Sequence, residues 1–171
     1  NEIELIHNVS YPDIGIQSGA PGGNLLAEKT VYSGDTPFVI KTQVKNIDDP
    51  FDGTITSIPK DLIPADYKLV EVEISCNCVG LNSLKLTTTI APKNLEKATK
   101  NGALFINVFN ASGEPISGAN VSITNNSVIP AININDVTNA SGSLNFVDIA
   151  TSSAGFHIAV TKNGYSSDQT Y

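Results

Sequence analysis

The sequence predicts a mainly β chain in two parts. The first is an α+β piece with an antiparallel sheet and a short helix remnant; the second is a Greek-key β-sandwich. Three observations predict this. Apolar and polar residues alternate with period two along most of the chain. Clusters of Gly, Pro, Asn and Asp separate the alternating runs at intervals of roughly 8–15 residues, the spacing of a sandwich. Helical periodicity is confined to the beginning of the chain.

Taken in order, "NEIELIHNV" carries Ile3, Leu5, Ile6 and Val9 with its acids early and His7 late, which suits the last turns of a helix. "YPDIGIQSGAPGG" follows as turns. "NLLAEKTVYSG" alternates loosely, and "TPFVIKTQVKNID" alternates well, with Phe38, Ile40, Thr42 and Val44 on one face and Val39, Lys41, Gln43 and Lys45 on the other. "DDPFDGTITSIPKDLIPAD" is broken by three prolines and reads as a loop. "YKLVEVEISC" is a half-buried strand, Val70, Val72 and Ile74 inward and Glu71 and Glu73 outward; "LKLTTTIAP" pairs with it across the turn in "NCVGLNS". Lys41, Lys45, Lys85 and Pro92 read as guards of sheet edges.

"NLEKAT", Asn94–Thr99, reads as one helical turn or a linker, and the break from Pro92 to Asn101 places a boundary between a piece over 1–98 and a piece over 99–171. In the second piece Leu104, Ile106 and Val108 alternate with Phe105, Asn107 and Phe109. The strands "ANVSITN", "IPAININDV", "SLNFVDI" and "FHIAVT" follow, separated by turns at "GEPISG", "TNASG" and "KNGY".

Composition narrows the function. The 171 residues carry a net charge of −7, and all ten basic residues are lysine. A nucleic-acid binder would show a basic patch and arginine forks, so that class is set aside. There is no Met, as in a processed chain or a piece of a longer one. No 18-residue apolar run is present to span a bilayer. Abundant Asn, Ser and Thr with sparse charge fits an extracellular β protein.

Two resemblances sharpen this picture. "GALFINVFNASGEPISGANVSI", "TNASGSLNF" and "FHIAVTKNGYSS" resemble the carboxypeptidase regulatory-like domain, a transthyretin-type sandwich. The family's pattern falls here on Gly113, Pro115, Gly118, Ala119 and Val121, then Thr138, Gly142, Leu144 and Phe146, then Phe156, Lys162, Gly164 and Tyr165. Gly113 and Gly118 are expected at positive φ, and Tyr165 is expected to fold over a sandwich corner. The resemblance implies a passive module: a spacer, adhesive unit or stabiliser. The first half, through "YPDIGI", "VKNIDDPFDGT", "DYKLVEVEIS" and "LKLTTTIAP", resembles the soluble part of type IV pilin-like proteins, particularly minor pilins. That family's defining apolar helix is absent from this sequence, and a membrane would be met only through it.

Candidate sites are few. Asp48, Asp49 and Asp52 in "DDPFDG" are a candidate calcium set, because carboxylates gathered in one loop can hold Ca²⁺ with backbone carbonyls. The competing reading is a polar turn, and the EF-hand pattern is not met. Cys76 and Cys78 would lie about 6.5–7 Å apart in a regular strand, so a disulfide needs a local bend. His7 and His157 are isolated, and no nucleophile, metalloprotease or phosphate-loop motif occurs. Asn8, Asn110, Asn120, Asn125 and Asn139 head N-x-S/T triplets, which points to exposed surface.

The expectation is therefore a non-catalytic structural or adhesive protein, extracellular or at the cell surface, of minor-pilin type. No cofactor is expected apart from the calcium candidate. Its partners would be other pilin-like subunits, surface proteins or saccharide. The alternative is an accessory module that binds carbohydrate or protein for a larger secreted enzyme.

Overall fold

The computed structural model describes residues 2–78, 80–92 and 99–170. Ten strands, one short α-helix and one 3-10 turn are present among them, and every strand ladder is antiparallel. Two compact units result: Asn1–Gln17 with Pro21–Thr99, and Ser18–Ala20 with Lys100–Tyr171. Residues 94–98 of the expected helical turn or linker lie outside the described residues.

In the first unit, strands β1 (Glu28–Ser33), β2 (Thr36–Ile47), β3 (Tyr67–Cys76) and β4 (Leu84–Ile90) form one sheet in that order. Register follows hydrophobic alternation. Ile40 faces Ile74, Thr42 faces Val72 and Val44 faces Val70, so the apolar set of both strands shares one face. The opposite face carries Lys41 against Glu73 and Glu73 against Lys85, with Lys85 Nζ 2.9 Å from Glu71 Oε1. Helix α1 (Glu2–His7) covers the apolar face: Ile6 is buried with Ile14, Ile40, Val44, Val70 and Val72. Its ends are tethered too, Glu2 to Lys29 at 2.8 Å and His7 Nε2 to Thr88 Oγ1 at 2.9 Å.

Lys68 continues the inward set of β3 and is buried. Its ammonium donates to the carbonyls of Tyr11 (2.9 Å) and Ile14 and lies 4.7 Å from the centre of the Tyr11 ring. A buried ammonium needs such acceptors to offset its lost hydration. The 3-10 turn Tyr11–Asp13 is thereby pinned to the sheet.

The expected edge guards are corrected in part. Lys41 and Lys45 sit on β2, which is paired on both sides. Only β1 and β4 are edges, so Lys85 alone of the three lysines is on one. Alternation assigns a residue to a face; it does not give the order of strands in a sheet.

The second unit is a β-sandwich. Strands β5 (Gly102–Asn107) and β8 (Ser143–Ile149) form one sheet. Strands β6 (Asn120–Asn125), β7 (Ile132–Val137), β9 (His157–Thr161) and β10 (Asp168–Gln169) form the other, in the order β10-β9-β6-β7. The fourth strand of the unit returns to pair with its first, the Greek-key connection. Ile106, Leu144, Phe146 and Ile149 from one sheet enclose a core with Val121, Ile123 and Ile132 from the other.

Side chains tie the turns of this sandwich. Thr138, 3% exposed, donates its hydroxyl to Ile116 O (2.6 Å) and accepts the Ala119 N–H (2.9 Å). Lys162 Nζ donates to Ser117 O (3.0 Å) and Gly118 O (2.9 Å). Gly113 and Gly118 have φ of 80° and 63°, as the turn chemistry anticipates. Tyr165 remains 52% exposed, so it only half covers the corner it was expected to close. Asn125 is fully buried, which corrects its reading as exposed surface; its Oδ1 accepts the Ser127 N–H.

Substitution costs should follow burial. Ile123→Ala is expected to destabilise the sandwich by about 2–5 kcal/mol. Leu84→Ala, at a half-exposed edge position of the first unit, should cost about 1 kcal/mol or less. Denaturant unfolding of each variant against the parent measures both.

Candidate functional site

The convergent groups of the first unit lie at the loop end of its central hairpin. The last ladder pair of β2 and β3 is Ile47 with Tyr67, and Asp66 N–H donates to Ile47 O at 3.0 Å. Residues 48 and 66 are therefore forced to be neighbours just beyond the ladder, although a long loop separates them in sequence.

Hydrogen bonds inside that loop complete the arrangement. Asp48 Oδ2 accepts the Ile55 N–H at 3.0 Å. Ser57 N–H and Asp61 N–H both donate to Thr54 O at 3.0 Å, and Ser57 Oγ accepts the Thr54 N–H at 2.9 Å. This knot folds residue 61 back beside residues 54 and 55, next to Asp48. Asp61 Oδ1 accepts the Ile63 N–H at 2.8 Å, and Asp66 Oδ2 accepts the Asp49 N–H. One carboxylate oxygen from each of Asp48, Asp61 and Asp66 lies within 4.8 Å of the others. Among the described residues this is the one group of three or more acids, histidines or cysteines spaced to hold a metal ion.

Each of the three carboxylates has one oxygen committed to a backbone N–H. The other oxygens, Asp48 Oδ1, Asp61 Oδ2 and Asp66 Oδ1, are buried with no hydrogen-bond partner among the described groups. Asp66 as a whole is only 9% exposed. Burial pushes the Asp48 carboxyl above its ordinary value; the Ile55 N–H opposes this, and the charges of Asp61 and Asp52 add to it. Burial likewise raises Asp66, against the Asp49 N–H and with the charges of Asp52, Asp61 and Asp48.

The expected calcium set is thus divided. Asp48 joins the cluster. The Asp49 side chain turns to its own loop, where Oδ1 accepts the Phe51 N–H at 3.0 Å. Asp52 is exposed and acts on the cluster through its charge. Sequence reasoning missed Asp61 and Asp66. The available signal was the strand ends: if β2 stops after Ile47 and β3 begins at Tyr67, the acid before Tyr67 must meet the acid after Ile47.

The other singled-out residues stay apart from such chemistry. His157 is exposed on β9 beside Ser122, Thr124, Gln169 and Thr170 along a shallow depression. Cys76 and Cys78 are bridged, with a Cα–Cα distance of 5.2 Å. The chain bends at Asn77, directly after β3 ends, which brings them closer than a regular strand would.

Comparison of the chain with protein-family models, with curated proteins and with solved structures finds no match.

A carboxyl raised on folding binds its proton more tightly in the folded state. Its stabilising contribution is complete below the unfolded value near 3.8 and is lost as pH rises through the folded value. Metal-free protein should therefore lose stability from Asp48 and Asp66 as pH rises out of the aspartate range. Asp48→Asn keeps an oxygen for the Ile55 N–H and supplies an amide donor toward the acids. It should raise metal-free stability at pH 7 by about 1 kcal/mol and flatten that pH dependence. Thermal melts in chelator at pH 4.5 and pH 7 measure both effects.

Proposed function

We propose that this chain is a non-catalytic structural or adhesive module displayed outside the cell, the soluble part of a minor-pilin-like surface subunit. The observation that carries the reading is the Cys76–Cys78 disulfide at the end of β3. Disulfides form and persist in oxidising surroundings, outside the cytosol. The rest of the molecule is compatible with a presenting role. In the first unit a four-stranded sheet carries its apolar face under α1 and a ladder of charges on the other. In the second, Thr138 and Lys162 clamp one turn through four backbone-directed hydrogen bonds. Such a body acts by holding its loops in fixed positions for neighbouring subunits or surfaces. Among the described residues no helix is long and apolar enough to cross a membrane, and the resemblance to minor pilins assigns anchoring to a separate N-terminal helix.

The test uses cells that carry the full-length gene. An antibody raised against this chain should label intact, unpermeabilised cells, with gold particles along surface filaments. Protein recovered from those cells should show no free thiol until a reductant is added. Labelling that requires permeabilisation, or two free thiols in freshly isolated protein, would overturn the reading.

A further inference from the structure

We infer that Asp48, Asp61 and Asp66 form a binding site for a hard divalent cation, calcium in preference to magnesium, and that the ion clips the 48–66 loop onto the end of the β2–β3 hairpin that it connects. The site stands independently of the display reading above.

Acids alone would not carry this. The second observation is the state of their oxygens: Asp66 is 9% exposed, yet its Oδ1 has no hydrogen-bond partner among the described groups. Asp48 Oδ1 and Asp61 Oδ2 are buried in the same condition. An unpaired buried carboxylate oxygen is costly, and three in one place are costlier because their charges repel. The backbone N–H groups that hold the other oxygens, from Ile55, Ile63 and Asp49, fix the carboxylates while leaving these free. One oxygen from each of the three carboxylates lies within 4.8 Å of the others, so three anionic groups converge on one place.

The donor set selects the ion. All three donors are carboxylates, which suit hard cations; no cysteine or histidine belongs to the group. Oxygens around one Ca²⁺ lie about 2.3–2.6 Å from the metal, so two ligands can be as much as roughly 4.6–5.2 Å apart. The three oxygens lie within 4.8 Å of one another, inside the span that one calcium ion can bridge. Magnesium demands near-ideal octahedral geometry at about 2.0–2.1 Å and gives up its waters reluctantly, so a site that offers three carboxylates at once suits calcium better. Exposed Asp52 lies outside the ligand set and adds its negative charge to the field that attracts the ion.

The mechanical consequence follows from position. Asp48 and Asp66 sit at the two ends of the loop and Asp61 in its body, so one ion ties together three points that the sequence keeps apart. The segment between Asp48 and Asp61 carries Lys60, an exposed lysine and thus a proteolytic reporter of loop order.

Chelator-treated protein is titrated with CaCl2, and separately with MgCl2, by calorimetry. The same samples are digested with a lysine-specific endoproteinase, with and without CaCl2. The expected result is one saturable calcium site with Kd of about 10⁻⁵–10⁻³ M. Magnesium should bind at least about tenfold more weakly, and calcium should slow cleavage after Lys60 at least about tenfold. Asp61→Asn keeps the acceptor for Ile63 N–H and should fold; it should lose at least about tenfold in calcium affinity and all of the protection. Asp52→Asn should keep both within about threefold, since screening of an exposed charge is strong. The proposal is overturned by no saturable binding in the parent chain or by equal calcium affinity in parent and Asp61→Asn, which marks an adventitious ion only. Binding that leaves cleavage at Lys60 unchanged overturns the clip.

Discussion

The register of the β2–β3 hairpin is the constraint on which the first unit depends. Pairing Ile40 with Ile74 and Val44 with Val70 puts these residues, with Val72, on the face that α1 covers. A slip of one residue would turn Glu71 and Glu73 into the core and the valines into water. Ending the ladder at Ile47 and Tyr67 also fixes what happens beyond it, since residues 48 and 66 are left side by side. Core and acid cluster are therefore two results of one alignment. The hairpin settles hydrophobic burial along its length and concentrates like charge at its loop end.

The sandwich is organised by a different device. Its turns are held largely by side chains that bond to turn backbone, some distant and some their own. Thr138 and Lys162 close on the Ile116–Ala119 segment from two directions. Asn110 and Asn139 each fold their own loop, Oδ1 accepting two backbone N–H groups apiece. Two residues on which the regulatory-like pattern falls, Thr138 and Lys162, are thus ones that satisfy turn backbone. Their chemistry is that of a framework, where an unpaired N–H or carbonyl would otherwise be left in a half-buried corner.

Strands were legible in the sequence because alternation is local. Phe38 to Val44, Val70 to Ile74 and Leu104 to Val108 each declare a face within a few residues. β10, with only Asp168 and Gln169, is too short to show any period. What alternation cannot report is which strands become neighbours, and so Lys41 and Lys45 were read as edge guards although β2 is interior. The site was legible only in part for the same reason. "DDPFDG" is a visible cluster in one dimension, whereas Asp61 and Asp66 join Asp48 only after a long loop has closed. Lys68 is an intermediate case: its place two residues before Val70 assigns it inward, but nothing local announces that the carbonyls of Tyr11 and Ile14 await its charge.

The bridge between Cys76 and Cys78 differs from most disulfides in what it requires. Its two sulfurs are near neighbours along the chain in any conformation, and these 171 residues hold no other cysteine. Closing so small a ring asks for almost no chain search, and one pairing exists where four cysteines would allow three. Oxidation can therefore precede folding or follow it with the same product.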